Sequence, residues 1–157
     1  MCGICGFTGQ IENRDDVIKN MTDVITHRGP DSSGFYTDDY ISMGFRRLSI
    51  IDLDAGHQPI YNEDRTLVLT FNGEIYNYQE LRKVLVQKGH KFYTDTDSEV
   101  LVHGFEEWKE DLLPKLRGMF GFAIYNTKDK SVFVARDFFG IKPMHYTQIG
   151  NDFVYAS

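Results

Sequence analysis

The chain has 157 residues, of which 41% are hydrophobic and 25% are charged, and its net charge is −6 at pH 7. These values are typical of one soluble globular domain, and the negative charge without a Lys/Arg cluster argues against nucleic acid or an anionic membrane surface as a partner. No apolar run approaches the about 20 residues of a membrane span and no signal peptide is visible, so a cytoplasmic protein is predicted.

The first two elements are predicted to be a strand and a helix. Residues 2–9 are small and apolar, which is typical of a buried strand. Residues 13–30 carry apolar side chains at helical spacing until Gly29-Pro30 ends the pattern. The predicted apolar face of this helix consists of Val17, Ile18, Met21, Val24 and Ile25.

The rest of the chain contains further predicted strands and helices. The predictions are strands over 40–52 and 65–75, helices over 78–90 and 96–108, and hairpins over 121–137 and 144–157. Because the strands come in adjacent antiparallel sets with the helices grouped between them, we expect an α+β fold rather than a doubly wound parallel sheet. The chain stops inside a predicted strand, so we expect it to be a fragment of a longer protein.

Both cysteines, Cys2 and Cys5, lie in the first five residues, too close together to form a disulfide scaffold. A redox Cys-x-x-Cys pair normally follows a strand, and a structural zinc needs four N or S ligands, whereas the histidines here are scattered. Both alternatives are therefore disfavoured, and no metal is expected. Cys5 is interpreted as a small buried residue of the first strand.

Cys2 is a candidate nucleophile, and a nucleophilic thiol needs a base. If Met1 is removed, the freed α-amine of Cys2 is that base, because its pKa of about 7.7–8.0 leaves a sizeable neutral fraction at physiological pH. N-terminal nucleophile enzymes use the same arrangement. The alternative is a terminal cysteine without a chemical role.

Asn72-Gly73 directly follows a predicted strand. One interpretation is a tight hairpin turn, for which Asn-Gly is the strongest short signal. The other is an oxyanion hole formed by the Asn72 side-chain amide and the Gly73 N–H, in which one donor stabilises a transition state by about 2.7–4 kcal/mol.

Two charged stretches complete the candidate set. One of Arg46 and Arg47 is expected to point inward, either to an internal salt bridge or to a substrate carboxylate. Asp95, Asp97 and Glu99 stand at a predicted helix start, where they either cap the helix or bind an ammonium group. Nucleophile, base, oxyanion donors, cation and anion together predict hydrolysis of the side-chain amide of free glutamine.

On these motifs the chain resembles the glutaminase domains of asparagine synthetases, which are class II glutamine amidotransferases. The matching stretches are "MCGICGF", "HRGPDSSG", "RRLSIIDL", "GHQPIYN", "FNGEIYNY", "TDTDSEV", "RGMFGFAIYN", "ARDFFGIKPMHY" and "YAS". "NGEIYN" together with "RLSIID" points to asparagine synthetase-like members rather than to other amidotransferases. The chain departs from the family pattern at Phe138, Met144 and His145.

The resemblance implies one amidotransferase domain over residues 1–157, truncated at its C-terminus, with the four-layer αββα fold of N-terminal nucleophile hydrolases and two antiparallel sheets. It implies Cys2 as nucleophile and base, with Asn72 and Gly73 as oxyanion donors. The implied substrate contacts are Arg47 to the glutamine carboxylate, Asp97 with Glu74 to the ammonium group, and Leu48 and Ile50 along the pocket. The "HRGPD" loop is expected near the site without a catalytic role.

The implied partners are glutamine and a C-terminal synthetase domain, absent here, which would use ATP and magnesium to make asparagine from the released ammonia. No metal or cofactor is expected for this domain, and a homodimer is possible. The alternatives are a non-catalytic glutamine-binding or regulatory domain, or ammonia supply to a different acceptor.

Overall fold

The computed structural model describes residues 1–48 and 57–157, and within them the chain forms nine strands and three α-helices. The strands are β1 (Gly3–Thr8), β2 (Ser32–Thr37), β3 (Ile41–Arg47), β4 (Ile60–Tyr61), β5 (Leu67–Ile75), β6 (Gly118–Asn126), β7 (Val132–Arg136), β8 (His145–Ile149) and β9 (Asp152–Ala156). The helices are α1 (Arg14–Val24), α2 (Tyr78–Gln87) and α3 (Glu99–Trp108), and 3₁₀ turns follow at Thr26–Arg28 and Lys109–Lys115.

The described strands form two antiparallel sheets. Sheet A has the strand order β2-β3-β1-β9-β8, and sheet B has the order β4-β5-β6-β7. The central strand β1 pairs with β3, where Gly3 lies opposite Arg46, and with β9, where Cys5 lies opposite Ala156. β5 and β6 pair along their whole length at the centre of sheet B.

The alternation of side chains along each strand creates three apolar layers. On β5, Leu69 and Phe71 pack under α2 and α3, whereas Val68 faces sheet A. On β1, Cys5 packs with Ile18 of α1 on the outer face of sheet A. The layers therefore run helix, sheet, sheet, helix, and the predicted αββα arrangement is confirmed.

The predicted elements agree with the structure except at their ends and in two short strands. The helix predicted over 13–30 ends at Val24, whose side chain is 76% exposed rather than on the apolar face, and Ile25 is buried just beyond it. β2 and β4 were not predicted. The strand predicted over 40–52 is confirmed as far as Arg47, and its last residues lie outside the described part. Both predicted hairpins, β6–β7 and β8–β9, are confirmed.

No helix in the described part of the chain combines the length and apolar character needed to cross a bilayer.

Candidate active site

Cys2 directly precedes β1 and lies on the side of sheet A that faces sheet B. Its side chain packs against the cluster between the sheets that contains Ile4. Its Sγ is 3.4 Å from the Leu48 backbone nitrogen, which donates to it, and 3.9 Å from the Leu48 carbonyl oxygen. The nucleophile candidate is therefore held between two sheets and beside the end of β3.

Cys5 has the opposite environment because it stands three residues later on the same strand, where side chains alternate between faces. It is 1% exposed under α1, and its Sγ is 3.5 Å from Thr22 Oγ1. Burial raises the pKa of the Cys5 thiol, which disfavours the reactive thiolate. The two thiols do not form a redox pair, and the prediction of Cys5 as a buried core residue is confirmed.

A cavity of about 330 Å³ opens beside Cys2. This volume is near the lower end of the about 300–1,000 Å³ typical of small-molecule sites. The walls come from the start of β1, the end of β3, β5 and the segment before α3. The lining residues on which the argument below rests are Cys2, Arg47, Leu48, Gln58, Gly73 and Asp97.

Asn72 and Gly73 lie inside β5, paired opposite Gly121 and Phe120 of β6, so the hairpin-turn alternative is wrong. The Asn72 side chain is 2% exposed, and its Nδ2 has no hydrogen-bond partner in the described part of the chain. A buried amide without an acceptor is destabilising by about 1–3 kcal/mol. Such a donor is suited to an acceptor brought by a ligand.

The outer edge of β5 is capped mainly by side chains. β4 pairs with it over two residues, and the preceding Pro59 has no N–H with which to continue the ladder. Beyond that point Gln58 acts as a substitute for a strand, because its Oε1 accepts the Phe71 N–H at 2.6 Å and its Nε2 donates to the Phe71 carbonyl at 2.9 Å. Further along, Asp97 Oδ2 accepts the Ile75 N–H at 2.7 Å.

These caps leave the Gly73 N–H between them. Alternate residues of a strand direct their N–H groups to the same edge, so Gly73 faces the same side as Phe71 and Ile75. Nothing among residues 1–48 and 57–157 accepts this hydrogen, and Gly73 lines the cavity. A Cβ on Gly73 would lie 2.1 Å from the Met119 carbonyl oxygen, so the position requires glycine.

Arg47 ends β3 with its side chain 9% exposed in the cavity wall. Arg46 points to the other face and forms an ion pair with Asp23. The expectation that one of the two arginines points inward is therefore confirmed, and the inward one is Arg47.

The "HRGPD" loop packs directly on the end of β3. A Cβ on Gly29 would lie 2.6 Å from the carbonyl carbons of Arg46 and Arg47, so only glycine allows this contact. In the same loop, burial lowers the pKa of the Arg28 guanidinium, and the charge of Cys2 opposes that effect.

Asp97 stands just before α3 and lines the cavity together with Arg47. Burial and then the nearby charge of Glu74 raise the pKa of its carboxyl, although the Ile75 N–H opposes the shift. Glu74 itself is exposed and is not part of the cavity wall. The residue directly before α3 is Ser98, and its side chain makes no capping hydrogen bond to the helix.

The structure brings most of the predicted site residues to one cavity. Cys2, Arg47, Leu48, Gly73 and Asp97 line it, and Asn72 adjoins it within β5. Ile50 lies outside the described residues. Gln58 was given no role from the sequence, and its one signal was its place in "GHQPIYN", before a proline that ends strand pairing.

A larger groove of about 930 Å³ runs between β7 and the β8–β9 hairpin. Its walls are mainly strand residues such as Val134, Met144 and Phe153, and it contains neither cysteine. Chemistry rather than volume therefore identifies the cavity at Cys2 as the candidate active site.

Comparison with known proteins agrees with this assignment. A family model described as a glutamine amidotransferase domain matches residues 1–157. The chain is 48% identical to asparagine synthetase [glutamine-hydrolyzing] 1 of Bacillus subtilis, covering 98% of this chain and 26% of that protein. It is 44% identical to a maize (Zea mays) asparagine synthetase [glutamine-hydrolyzing], covering 92% of this chain and 25% of the relative. The chain thus spans about a quarter of the length of these curated relatives.

A solved structure supports the fold. The glutamine phosphoribosylpyrophosphate amidotransferase of B. subtilis superposes with a TM-score of 0.77 over 99% of this chain and 41% of its own. Sequence identity is 21%, so this similarity concerns the fold alone. The N-terminal nucleophile hydrolase fold predicted from the resemblance is confirmed.

We predict that Asp97→Asn raises the unfolding temperature at neutral pH by a few degrees. The raised pKa means that the ionised carboxylate destabilises the folded chain at every pH above it, whereas an asparagine oxygen still accepts the Ile75 N–H uncharged. The increase in unfolding temperature is largest at neutral pH. It disappears as the pH falls through the pKa of Asp97 in the folded chain towards about 3.9, the pKa of an aspartate in the unfolded chain.

Thermal melts of both proteins across pH provide the measurement, with Asp39→Asn at an exposed position as the control. A variant that melts at or below the parent temperature at neutral pH would contradict the proposed burial of charge.

Proposed function

This chain belongs to the glutamine amidotransferase domain family, and from that premise we propose that it hydrolyses glutamine to glutamate and ammonia through a thioester on Cys2. The observation that carries the proposal is the group of residues around one cavity: a thiol, a buried arginine, a half-buried aspartate, and two donors without acceptors on adjacent residues of β5. Each of these groups matches one part of a glutamine molecule.

Binding uses the two charged side chains of the cavity wall, Arg47 and Asp97. Arg47 takes the α-carboxylate of glutamine by charge-assisted hydrogen bonds. Asp97 takes the α-ammonium group. The positive charge of this group stabilises the Asp97 carboxylate, which burial has deprived of water. Glu74 contributes negative charge from outside the wall. The side-chain amide of glutamine then extends towards Cys2.

In the first chemical step the Cys2 sulfur attacks the amide carbon. The thiol proton passes to the α-amine of Cys2, which exists once Met1 has been removed. The carbonyl π electrons move to the oxygen, and the Gly73 N–H and Asn72 Nδ2 stabilise the oxyanion. The Leu48 N–H, already 3.4 Å from the sulfur, stabilises the thiolate before attack.

The second step releases ammonia and then glutamate. The oxyanion collapses, the carbon–nitrogen bond breaks, and the protonated α-amine of Cys2 gives its proton to the leaving nitrogen. Water then attacks the γ-glutamyl thioester with the same amine as base, the carbon–sulfur bond breaks, and the thiol is regenerated. The proposed steps use the residues of the chain without a metal or cofactor.

The destination of the ammonia is proposed from the named relatives. They are glutamine-hydrolysing asparagine synthetases about four times longer than this chain, so a C-terminal synthetase domain using ATP and magnesium is the proposed partner. The alternatives remain a regulatory domain that binds glutamine without turnover, or a different amide-forming acceptor. The predicted homodimer stays a prediction.

We predict that Cys2→Ala abolishes ammonia release from glutamine, a loss of more than about 1,000-fold, because the sulfur is the nucleophile. Cys5→Ala is the matched control, since it removes the other thiol from beneath α1 and leaves the rate close to that of the parent. Ammonia release with unchanged thermal melting is the measurement. Equal losses in the two variants would contradict the assignment.

The role of the α-amine is tested in the same assay. Intact mass of the active protein should show loss of one methionine, and a form with a blocked N-terminus should be inactive although it retains Sγ. Equal rates for blocked and processed protein would leave Cys2 as nucleophile but overturn its amine as the base. A processed protein that binds glutamine but releases no ammonia would favour the regulatory alternative.

We predict that Arg47→Ala and Asn72→Ala affect different kinetic constants. The contact of Arg47 with the carboxylate exists in the ground and transition states alike, so its loss raises KM with little change in kcat. The Asn72 bond strengthens as the oxyanion forms, so its loss lowers kcat by about 100–1,000-fold. Steady-state kinetics of both variants separate the two effects, and the opposite partition would mean that the roles are exchanged.

We predict that Gln58→Leu lowers kcat by about 10-fold with little change in KM. The variant removes both hydrogen bonds to Phe71, and with them the alignment of the Gly73 N–H two residues along the strand. Gln79→Leu, at an exposed position on α2, is the control. A rise in KM alone would instead show that Gln58 contacts substrate, and unchanged kinetics would show that β5 keeps its edge without it.

A further inference from the structure

A second polar cluster lies at the helical side of sheet B and shares no residue with the cavity at Cys2. It contains Glu63 after β4, His90 after α2, and His103 and Glu106 on α3. One potential ligand atom from each residue lies within 4.8 Å of all the others. The histidines looked scattered in the sequence, and the packing of α2 on α3 brings these two together, with their ring centroids 5.2 Å apart.

His103 is the buried centre of the cluster. Its side chain is 0% exposed, and its Nε2 is hydrogen-bonded to Glu99 Oε1 at 3.2 Å. Its Nδ1 is 3.1 Å from Glu63 Oε2 but makes no hydrogen bond to any described residue. When the imidazole proton is on Nε2, where it is donated in the hydrogen bond to Glu99, the lone pair of Nδ1 faces an oxygen of the Glu63 carboxylate. These two electron-rich atoms repel each other unless a cation lies between them.

His90 faces the same carboxylate from the other side. Its Nδ1 is hydrogen-bonded to Glu63 Oε1 at 3.1 Å, and its Nε2 is 3.6 Å from Glu107 Oε2, within ion-pair distance. Both imidazoles thus direct Nδ1 to the same carboxylate and Nε2 to a different one. Histidines that bind metal through one nitrogen characteristically donate the other N–H to a carboxylate, which fixes the tautomer and the ring orientation.

The charge around the cluster is also unbalanced. Four carboxylates surround it, those of Glu63, Glu99, Glu106 and Glu107. Among the described ion pairs, a single lysine, Lys88, reaches one of them, Glu107. Glu106 is oriented by Asn62, whose Nδ2 donates to its Oε2 at 2.9 Å. A divalent cation between the histidines would offset this excess of negative charge.

From this geometry we propose that Glu63, His90, His103 and Glu106 form a structural binding site for a divalent transition metal, with Zn²⁺ as the best match. Two imidazole nitrogens and two carboxylates are a donor set that zinc accepts, and tetrahedral bonds of about 2.0–2.1 Å place neighbouring ligand atoms about 3.3 Å apart. The two Nδ1–oxygen distances of 3.1 Å are already close to this value. The metal would join the loop after β4 to α2 and α3.

A route for the ion exists. A cleft of about 470 Å³ at the surface is lined by Glu63, His90 and Glu106, three of the four proposed ligands. His103 closes the site from inside. The proposal does not rest on the glutaminase assignment, because none of its residues takes part in that chemistry.

The test titrates ZnCl₂ into the metal-free chain by calorimetry and compares thermal melting with and without the ion. One equivalent of zinc should bind with micromolar or tighter affinity and raise the unfolding temperature, and MgCl₂ should do neither. His90→Gln and Glu106→Gln, at half-buried and exposed positions, should each weaken zinc binding by at least about 10-fold. His145→Gln, an exposed histidine on β8, is the matched control and should leave binding unchanged.

The same titration in Cys2→Ala separates the cluster from the terminal thiol, which also binds soft metals. Binding that survives Cys2→Ala but is lost in His90→Gln and Glu106→Gln supports the site. Absence of zinc binding, binding lost only with Cys2, or equal binding of magnesium would each overturn it.

Discussion

The exposed edge of β5 is the constraint on which the candidate active site depends. A strand edge presents a row of unpaired N–H and C=O groups, and folded proteins usually cover it. Here β4 covers two residues, Gln58 covers one and Asp97 covers another. The single N–H left between these caps, that of Gly73, is the one that the proposed chemistry needs. The oxyanion donor is thus an uncovered N–H on the edge of sheet B, and the capped residues on both sides of it fix its position.

Polar groups held out of solvent lie beside this uncovered N–H. Asn72 Nδ2 is buried without an acceptor in the described part of the chain, and the pKa of Asp97 is raised by burial. Both features destabilise the folded chain to some degree. Elsewhere in the described part, buried carboxylates are well satisfied, as Glu99 is by the N–H groups of Tyr93 and Thr94. A ligand bound in the cavity would therefore also stabilise the fold.

Much of the fold was predictable because it rests on local periodicity. The small apolar run of β1, the alternation along β3 and β5 and the predicted helices α2 and α3 placed the layers correctly. The end of α1 was missed because Val24 fits the helical period but lies at the last turn, where the chain bends into a 3₁₀ turn and buries Ile25 instead. The sequence of β2, "SSGFYT", carries no continuous apolar face, and its burial pattern is mixed.

The site was predictable in its residue types and less so in its geometry. Cys2 was named from the chemistry that it can perform, whereas the resemblance to the asparagine synthetase glutaminase domains singled out Arg47 and Asp97 from their charged stretches. Gln58 was not, because its role depends on where β4 stops, and a two-residue strand beside a proline leaves almost no signal. The same limit applies to His90 and His103, whose proximity arises from the packing of α2 on α3 rather than from any spacing in the chain.

The register of β1 against β3 determines the position of Cys2. With Gly3 opposite Arg46, Cys2 continues the face that looks towards sheet B, and Cys5 falls on the face beneath α1. Strand residues advance about 3.3 Å and reverse sides at each step. One residue inserted between Cys2 and β1 would carry the thiol out of the cavity, and one deleted would turn it towards the helix. The distance from β1 to the nucleophile is thus fixed as strictly as the identity of the nucleophile itself.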